Sequence, residues 1–362
     1  MKQLNTMIVT LKAPIFAVAG LLLASAGPTI AATIGVVAPQ SGPYAGLGTQ
    51  VLEGARAAAA KAGDRLVEIN ETCDQGAGKV IAERLRAEKA VAAIGFLCVE
   101  TLSESLPDLK DAGIAAITLS VRSKILMEDA QRYQWPFFRM APADGDEAEK
   151  LAEVMLGQWQ NRPIALVEDG TIYGRDLASV IRQKLEAGGI KPVFTDTYRP
   201  GQEQQLALVR RLAKAGATHV FVGGDHNDTA TIARDAAADK ISLTVIGGDA
   251  LKAANRPIAL RDGTLAVTLP DYTTLPEAKI VVGEFRERGA EPDGYALPAY
   301  AAVEIVRQAA TSGSVADHLS GQSFATVIGP VGFGTDHELQ ANPLRLLEWR
   351  DNNFLDPRMR TD

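Results

Sequence analysis

The 362-residue chain is poor in several residue types that chemistry usually needs: it has two cysteines, four histidines and an aromatic content of 6%. His219, His226, His318 and His337 show no metal-ligand spacing, so no metal site is expected. The nearest approach is His226 between Asp225 and Asp228, and there the better reading is a solvated helix start capped by Asp228 or Asn227. Basic residues are not in excess, with 37 Lys and Arg against 44 Asp and Glu, and no basic run occurs, which argues against nucleic acid as a partner. Glycine-rich nucleotide loops are missing too. Val51 stands where a dinucleotide fingerprint needs a third glycine after Gly46 and Gly48. In DQGAGKV, Cys73 occupies the place of the first P-loop glycine and Val80 that of the Ser or Thr. There is no G-x-S-x-G elbow, and no Ser, Cys or His joins a base to a nucleophile, so neither catalysis nor a cofactor is expected.

Long hydrophobic runs are absent except at the N-terminus. There Lys2 and Lys12 flank the apolar stretch APIFAVAGLLLASAG, and PTIAA closes it with small residues. The stretch falls short of the roughly 20 residues a membrane span requires. It reads as a secretory signal peptide, residues 1–32, cleaved near Ala31 or Ala32, and the compartment is the periplasm. In an oxidising compartment the remaining Cys73 and Cys98 are expected to form a bridge, the alternative being one buried thiol and one exposed. Closing a loop of about 26 residues stabilises by ~3 kcal/mol in the chain-entropy model.

About 330 mature residues exceed what one core usually supports, so two domains are expected. After the leader, short β-branched runs alternate with amphipathic helical stretches: TIGVVAP, then TQVLEGARAAAAKAG ending at Gly63, RLVEINETC, GKVIAERLRAEKA, AVAAIGFLC, TLSESLPDLKDAG and IAAITLS. A second series begins after WPFFRMAPADGDE: helix EAEKLAEVMLGQWQ, strand PIALVED, helix LASVIRQKLEAGG, strand KPVFTDTY, helix QQLALVRRLAKAG, strand THVFVGGD, helix TATIARDAAADK, then strands SLTVIGGDA and GTLAVTLPD. Helices over EAKIVVGEFRERG and ALPAYAAVEIVRQAATSG, a loop VIGPVGFGTDHELQ and a last strand LRLLEWR complete the chain. Strands separated by helices imply parallel sheets covered on both faces.

In such sheets helix starts gather at the carboxyl ends of the strands, where unpaired N–H groups attract anions. The turns SGPYAGLG, CVETLS, LSVRSKI, EDGTIYGRD, GGDHNDT and GGDAL all fall there. Two edges of this kind facing each other make a cleft suited to a small polar ligand. Cys98 ends a strand at that edge, where a bridge to Cys73 would pin two neighbouring turns.

In order and content, SGPYAGLGTQVLEGARAA, TCDQGAGKVIAERL, IGFLCVETLSES, AGIAAITLS, WPFFRMAPADGDEAEKLAE, VEDGTIYGRDLA, VFVGGD and GPVGFGTDHEL resemble the periplasmic leucine/isoleucine/valine-binding proteins of ABC importers. The resemblance spans essentially the whole mature chain. It implies an α/β fold of two Rossmann-like parallel-sheet domains joined by three crossovers, a periplasmic binding protein of type I. The lobes it implies are 33–141 with 270–343, and 142–269 with 344–362. It also implies the Cys73–Cys98 disulfide, a monomer, an ABC permease and ATPase as partners, and an amino acid or related carboxylate as ligand.

Site residues carried over by position are Leu47, Val99, Ser120, Val121, Arg122, Tyr173, Asp225 and Asp249. Asp249 stands where the family has its ammonium-binding acid, and Tyr173 matches its aromatic gate. Four positions depart from the pattern: Val99 replaces a hydroxyl residue, Arg122 a threonine, and Leu47 and Asp225 tyrosines. Arg122 is read as a carboxylate ligand, as a surface arginine on a helix following LSV, or as a partner of Asp225 across the cleft; Asp225 is also a candidate helix cap. Arg122, Asp225 and Asp249 together suit a ligand with both charge signs, with a plain or aromatic carboxylate as the alternative; a sensory module feeding a receptor is the other functional reading. A thiol assay on the unfolded, unreduced protein is expected to find no free thiol; two thiols would remove the bridge.

Overall fold

The computed structural model describes residues 32–252, 257–311 and 313–357. The expected leader, apart from Ala32, lies outside them. The first half runs β1 (Thr33–Ala38), α1 (Ala45–Ala62), β2 (Arg65–Asn70), α2 (Ala77–Ala87), β3 (Ala92–Gly95), α3 (Val99–Ala112), β4 (Ala115–Thr118), α4 (Lys124–Tyr133) and β5 (Phe137–Arg139). The second series is α5 (Asp146–Gln158), β6 (Ile164–Glu168), α6 (Ile172–Ala187), β7 (Phe194–Thr197), α7 (Leu206–Lys214), β8 (His219–Gly223), α8 (His226–Ala238), β9 (Thr244–Gly247) and β10 (Leu265–Thr268). Then come α9 (Lys279–Glu287), α10 (Ala296–Ala310), α11 (Val315–Leu319), β11 (Ser323–Thr326), β12 (Gly329–Gly332), β13 (Arg345–Arg350) and β14 (Asn353–Leu355).

Strands β2-β1-β3-β4-β5 form one sheet, parallel throughout. A second sheet has the order β14-β13-β10-β9-β8-β6-β7, in which β6 to β10 are parallel and β13 and β14 antiparallel. The side chains alternate as a sheet covered on both faces demands. On β1, Ile34, Val36 and Ala38 join a core with α1, α9 and α10, whereas Val37 joins a core with α2, α3 and α4. On β6, Ile164 and Leu166 face α5 and α6, while Ala165 and Val167 face α7 and α8. Each parallel set has the same order relative to its first strand, 2-1-3-4-5, and so carries a switch point where strand order reverses: between β1 and β3, and between β6 and β8. Ligands bind open α/β sheets in the crevice at this point, outside the carboxyl ends of the strands.

The chain passes between the sheets in three places: after β5, after β10, and in the segment from β12 to β13. Three local expectations need correction, and one stretch without a stated expectation, 124–139, takes a definite form. The stretch 327–340 is not all loop, because 323–326 and 329–332 pair as an antiparallel hairpin whose Phe324 and Val331 complete the α10 core. Residues 124–139, which carry no clear strand period, form α4 and the three-residue edge strand β5. Strand β13 is not the last, since β14 pairs with it. His226 is buried rather than solvated; its ring nitrogens lie 2.8 and 3.0 Å from the carbonyl oxygens of Leu251 and Ile258, and its ring meets Trp349 edge-on. Among the described residues no helix is long and apolar enough to cross a membrane.

The closest helix packing sets a test of the fold. A Cβ on Gly54 of α1 would lie 1.9 Å from the carbonyl oxygen of Ala296 on α10, an atom that cannot rotate away. Gly54→Ala is expected to destabilise by about 3 kcal/mol in urea unfolding, the upper range for overpacking.

Candidate functional site

The turns after β1, β3 and β4 line a cavity of about 780 Å³. Leu47 comes from the first turn of α1, Val99 and Glu100 from the start of α3, and Ser120, Val121, Arg122 and Ser123 from the β4 turn; Asp144 and Tyr295 close its sides. Cys73 and Cys98 form a disulfide at its wall with Cα atoms 5.5 Å apart, within the usual range. The bridge expected from the compartment is therefore present, and it sits at the cleft edge.

The polar groups of the β4 turn are largely occupied from within. The Thr118 hydroxyl accepts from the backbone N–H of Ser120 at 3.3 Å and of Val121 at 3.1 Å, and donates to the Phe96 carbonyl at 2.8 Å. Ser120 Oγ donates to Leu97 O at 3.2 Å. Arg122 is the group of this turn that reaches outward. Its Nη2 lies 3.3 Å from Oδ2 of Asp249, on the opposite sheet. The pair is half-buried, with side chains 35% and 27% exposed. Asp225, the other partner considered for Arg122, is instead the N-cap of α8, accepting from Asp228 N at 2.8 Å, and does not line the cavity.

Asp249 is set by a carboxylate that the sequence reading missed. Glu147, in the first turn of α5, is buried, and one of its oxygens accepts both the Tyr173 hydroxyl at 2.6 Å and the Asp249 backbone N–H at 2.7 Å. Asp249 Oδ1 accepts in turn from Thr268 Oγ1. Burial pushes Glu147 upward from the usual carboxylate range, while the Tyr173 hydroxyl and the Asp249 amide pull it down. The Tyr173 hydroxyl is also pushed up, by burial and then by the charge of Glu147, so it remains a donor. In the run DGDEAEK three acids open the helix, and nothing local separates Glu147 from Asp146 or Glu149. The α5 start and the β9 and β6 turns thus present one block, Glu147 with Tyr173 and Asp249, facing Arg122.

A smaller cavity of about 430 Å³ lies between the flank of α6 and strands β6 and β7. It is away from the helix starts, and its acids are engaged: Glu168 accepts from Thr197 Oγ1 and Gly170 N, and Asp196 pairs with Arg211 at 2.6 Å. The cleft beside Arg122 is the better site because a cation and an anion from the two sheets meet there, beside the start of α3 with its unpartnered first N–H groups.

Comparison with known proteins places the chain in a family. The family model described as "Periplasmic binding protein" matches residues 31–353. The chain belongs to this family. Among its relatives, the Leu/Ile/Val-binding protein homolog 3 of Brucella melitensis is 26% identical over 343 residues, covering 89% of this chain and 92% of the relative. The Leu/Ile/Val-binding protein of Escherichia coli is 26% identical over 336 residues, 88% and 91% of the two chains. Among solved structures, an ABC transporter substrate-binding protein from Desulfitobacterium hafniense complexed with Leu superposes with a TM-score of 0.67 at 21% identity, covering 90% and 99% of the chains. An R. palustris solute binding protein in complex with benzoate gives 0.61 at 19%, covering 90% and 95%. The structural likenesses establish the two-domain α/β fold of this periplasmic binding protein.

The block on the second sheet is tightly built. A Cβ on Gly248 would lie 2.0 Å from Glu147 Oε1 and 2.6 Å from the Tyr173 hydroxyl. Gly248→Ala is expected to force these groups apart and destabilise by about 1–3 kcal/mol, read by urea unfolding.

Proposed function

We propose that this chain is the periplasmic substrate-binding component of an ABC importer and that it captures an amino acid or amino-acid derivative by closing two lobes around it. The lobes are 33–141 with 270–343 and 142–269 with 344–362. The N-terminal leader directs export, and an ABC permease with its ATPase receives the ligand. The observation that carries the reading is the apposition of one cation and one anion across the cleft, Arg122 from the β4 turn and Asp249 from the β9 turn.

A half-exposed ion pair of this kind stabilises by at most about 1 kcal/mol. A zwitterion entering the cleft replaces it with two contacts, its carboxylate against the Arg122 guanidinium and its ammonium against Asp249, and neither protein charge is left alone. Because the two contacts belong to different lobes, the ligand favours the closed arrangement by its differential affinity for it. The carboxylate also meets the start of α3, whose first N–H groups lack helical partners. Leu47, Val99 and Leu97 supply the apolar side of the pocket. An aromatic carboxylate, as in the benzoate complex, would also satisfy Arg122 but would leave Asp249 facing a like charge. That second reading therefore ranks below the zwitterion.

Thermal-shift screening should show amino acids raising Tm and benzoates leaving it unchanged; a ligand at 100 times its Kd stabilises by about 2.7 kcal/mol. Calorimetry of Arg122→Ala and Asp249→Ala should each show affinity weakened at least about tenfold, the scale of a lost charged hydrogen bond. Benzoate binding that survives Asp249→Ala, with no response to amino acids, would favour the carboxylate reading. Unchanged affinity in both variants would move the site elsewhere.

A further inference from the structure

Glu71 follows β2, is 1% exposed and does not face the cleft, yet its carboxylate meets the turn that does. One oxygen accepts from Leu97 N at 2.8 Å and the other from Cys98 N at 3.2 Å. Its own backbone N–H donates to Ala38 O at 3.0 Å, which anchors it at the end of β1. Two consecutive amides can converge on one carboxylate because the chain leaves β3 through left-handed conformations, with φ of 107° at Gly95 and 50° at Phe96. Successive N–H groups turned to one side make an anion-binding concavity, and Glu71 fills it from within the protein. Phe96 is locked from both sides, its N–H donating to Val37 O at 2.9 Å and its carbonyl accepting from Thr118 at 2.8 Å. The next residues, Val99 and Glu100, line the cleft and open α3.

We propose that Glu71 is a positioning residue for ligand binding: its ionised carboxylate clamps the Leu97 and Cys98 amides and so aims the start of α3 and Val99 into the cleft. This rests on the function proposed above. The disulfide and the clamp divide the task. Cys73–Cys98 limits how far the turn can travel, and Glu71 sets its orientation.

The clamp responds to pH. An ionised carboxylate attracts both N–H dipoles, whereas a protonated one carries a hydrogen that needs an acceptor of its own. Burial raises Glu71 to about 7; the two amides act against that rise, and the like charge of Glu100 on α3 adds to it. The backbone N–H of Glu71 is held separately by Ala38 O, which carries no titrating charge. A raised carboxylate lowers folded stability as pH climbs from its unfolded value to about 7, because the unfolded chain ionises first. Ligand affinity moves the opposite way, tightening as pH rises through the same range. A residue that served stability alone would not produce that opposition.

Two measurements test the clamp. In the ligand-free protein, amide NMR shifts of Leu97 and Cys98 should titrate near neutral pH, and Glu71→Gln should abolish the titration. With L-leucine as probe, calorimetry between about pH 5.5 and about pH 8.5 should show affinity tightening roughly tenfold in the native chain. It should be weak and flat with pH in Glu71→Gln, and partly restored in Glu71→Asp. Should Glu71→Gln fail to fold, the native pH profiles of the amides and of binding decide. Amides that do not titrate, or a Glu71→Gln protein with native affinity and native pH profile, would overturn the proposal. Titrating amides with no leucine binding at any pH would uphold the clamp and reject leucine as ligand.

Discussion

Everything in this molecule follows from the direction in which parallel strands deliver their chain. Each strand of both sheets ends on the same side as its parallel neighbours, so the turn after it and the start of the next helix collect along one edge. On the first sheet this edge carries Val99, Ser120 and Arg122; on the second it carries Tyr173 and Asp249. The charges that meet in the cleft are separated by 127 residues along the chain and reach 3.3 Å because the turns after β4 and β9 meet. No long-range pattern in the sequence encodes that distance directly. It is a product of topology.

The two halves of the cleft are built in different ways. On the first sheet the turns are held by the backbone: Thr118 takes the Ser120 and Val121 amides, Glu71 takes those of Leu97 and Cys98, and the disulfide ties β2 to α3. That leaves the Arg122 side chain as the outward cation. On the second sheet the support is a side-chain cluster centred on Glu147. A rigid backbone cradle on one side and a carboxylate-centred cluster on the other give a ligand two well-defined walls, which is the preorganisation that spares binding the cost of ordering the site.

The alternation of apolar strands with amphipathic helices made most of the fold legible in the sequence. In β1, β3, β4, β6 and β8 the buried Val, Ile and Ala residues form continuous apolar runs bounded by polar or glycine-rich turns, which marks them as strands of a sheet covered on both faces. What escaped were elements with too few residues to show a period: β5, three residues long, β14, also three, and the hairpin of β11 and β12, whose Gly329, Pro330 and Gly332 look like loop. The site is an expectation carried over from the family's positions at Arg122, Tyr173 and Asp249, which the structure brings close together. It was not legible at Glu147 and Glu71. Their neighbours are also acids, or the residues they hold lie 26 and 102 positions away. His226 failed for a related reason: a polar run hid a ring that the fold buries against the Leu251 and Ile258 carbonyls.

Glu147 joins the Tyr173 hydroxyl and the Asp249 backbone through a single oxygen atom, so the two are not separate parts. The members of this block are coupled, so replacing any one of them disturbs the bonds of the others. The opposite lobe offers Arg122, whose side chain no internal scaffold of its own turn constrains. A substitution on one wall of the cleft therefore disturbs several bonds at once, and a substitution of Arg122 on the other disturbs mainly its pairing with Asp249.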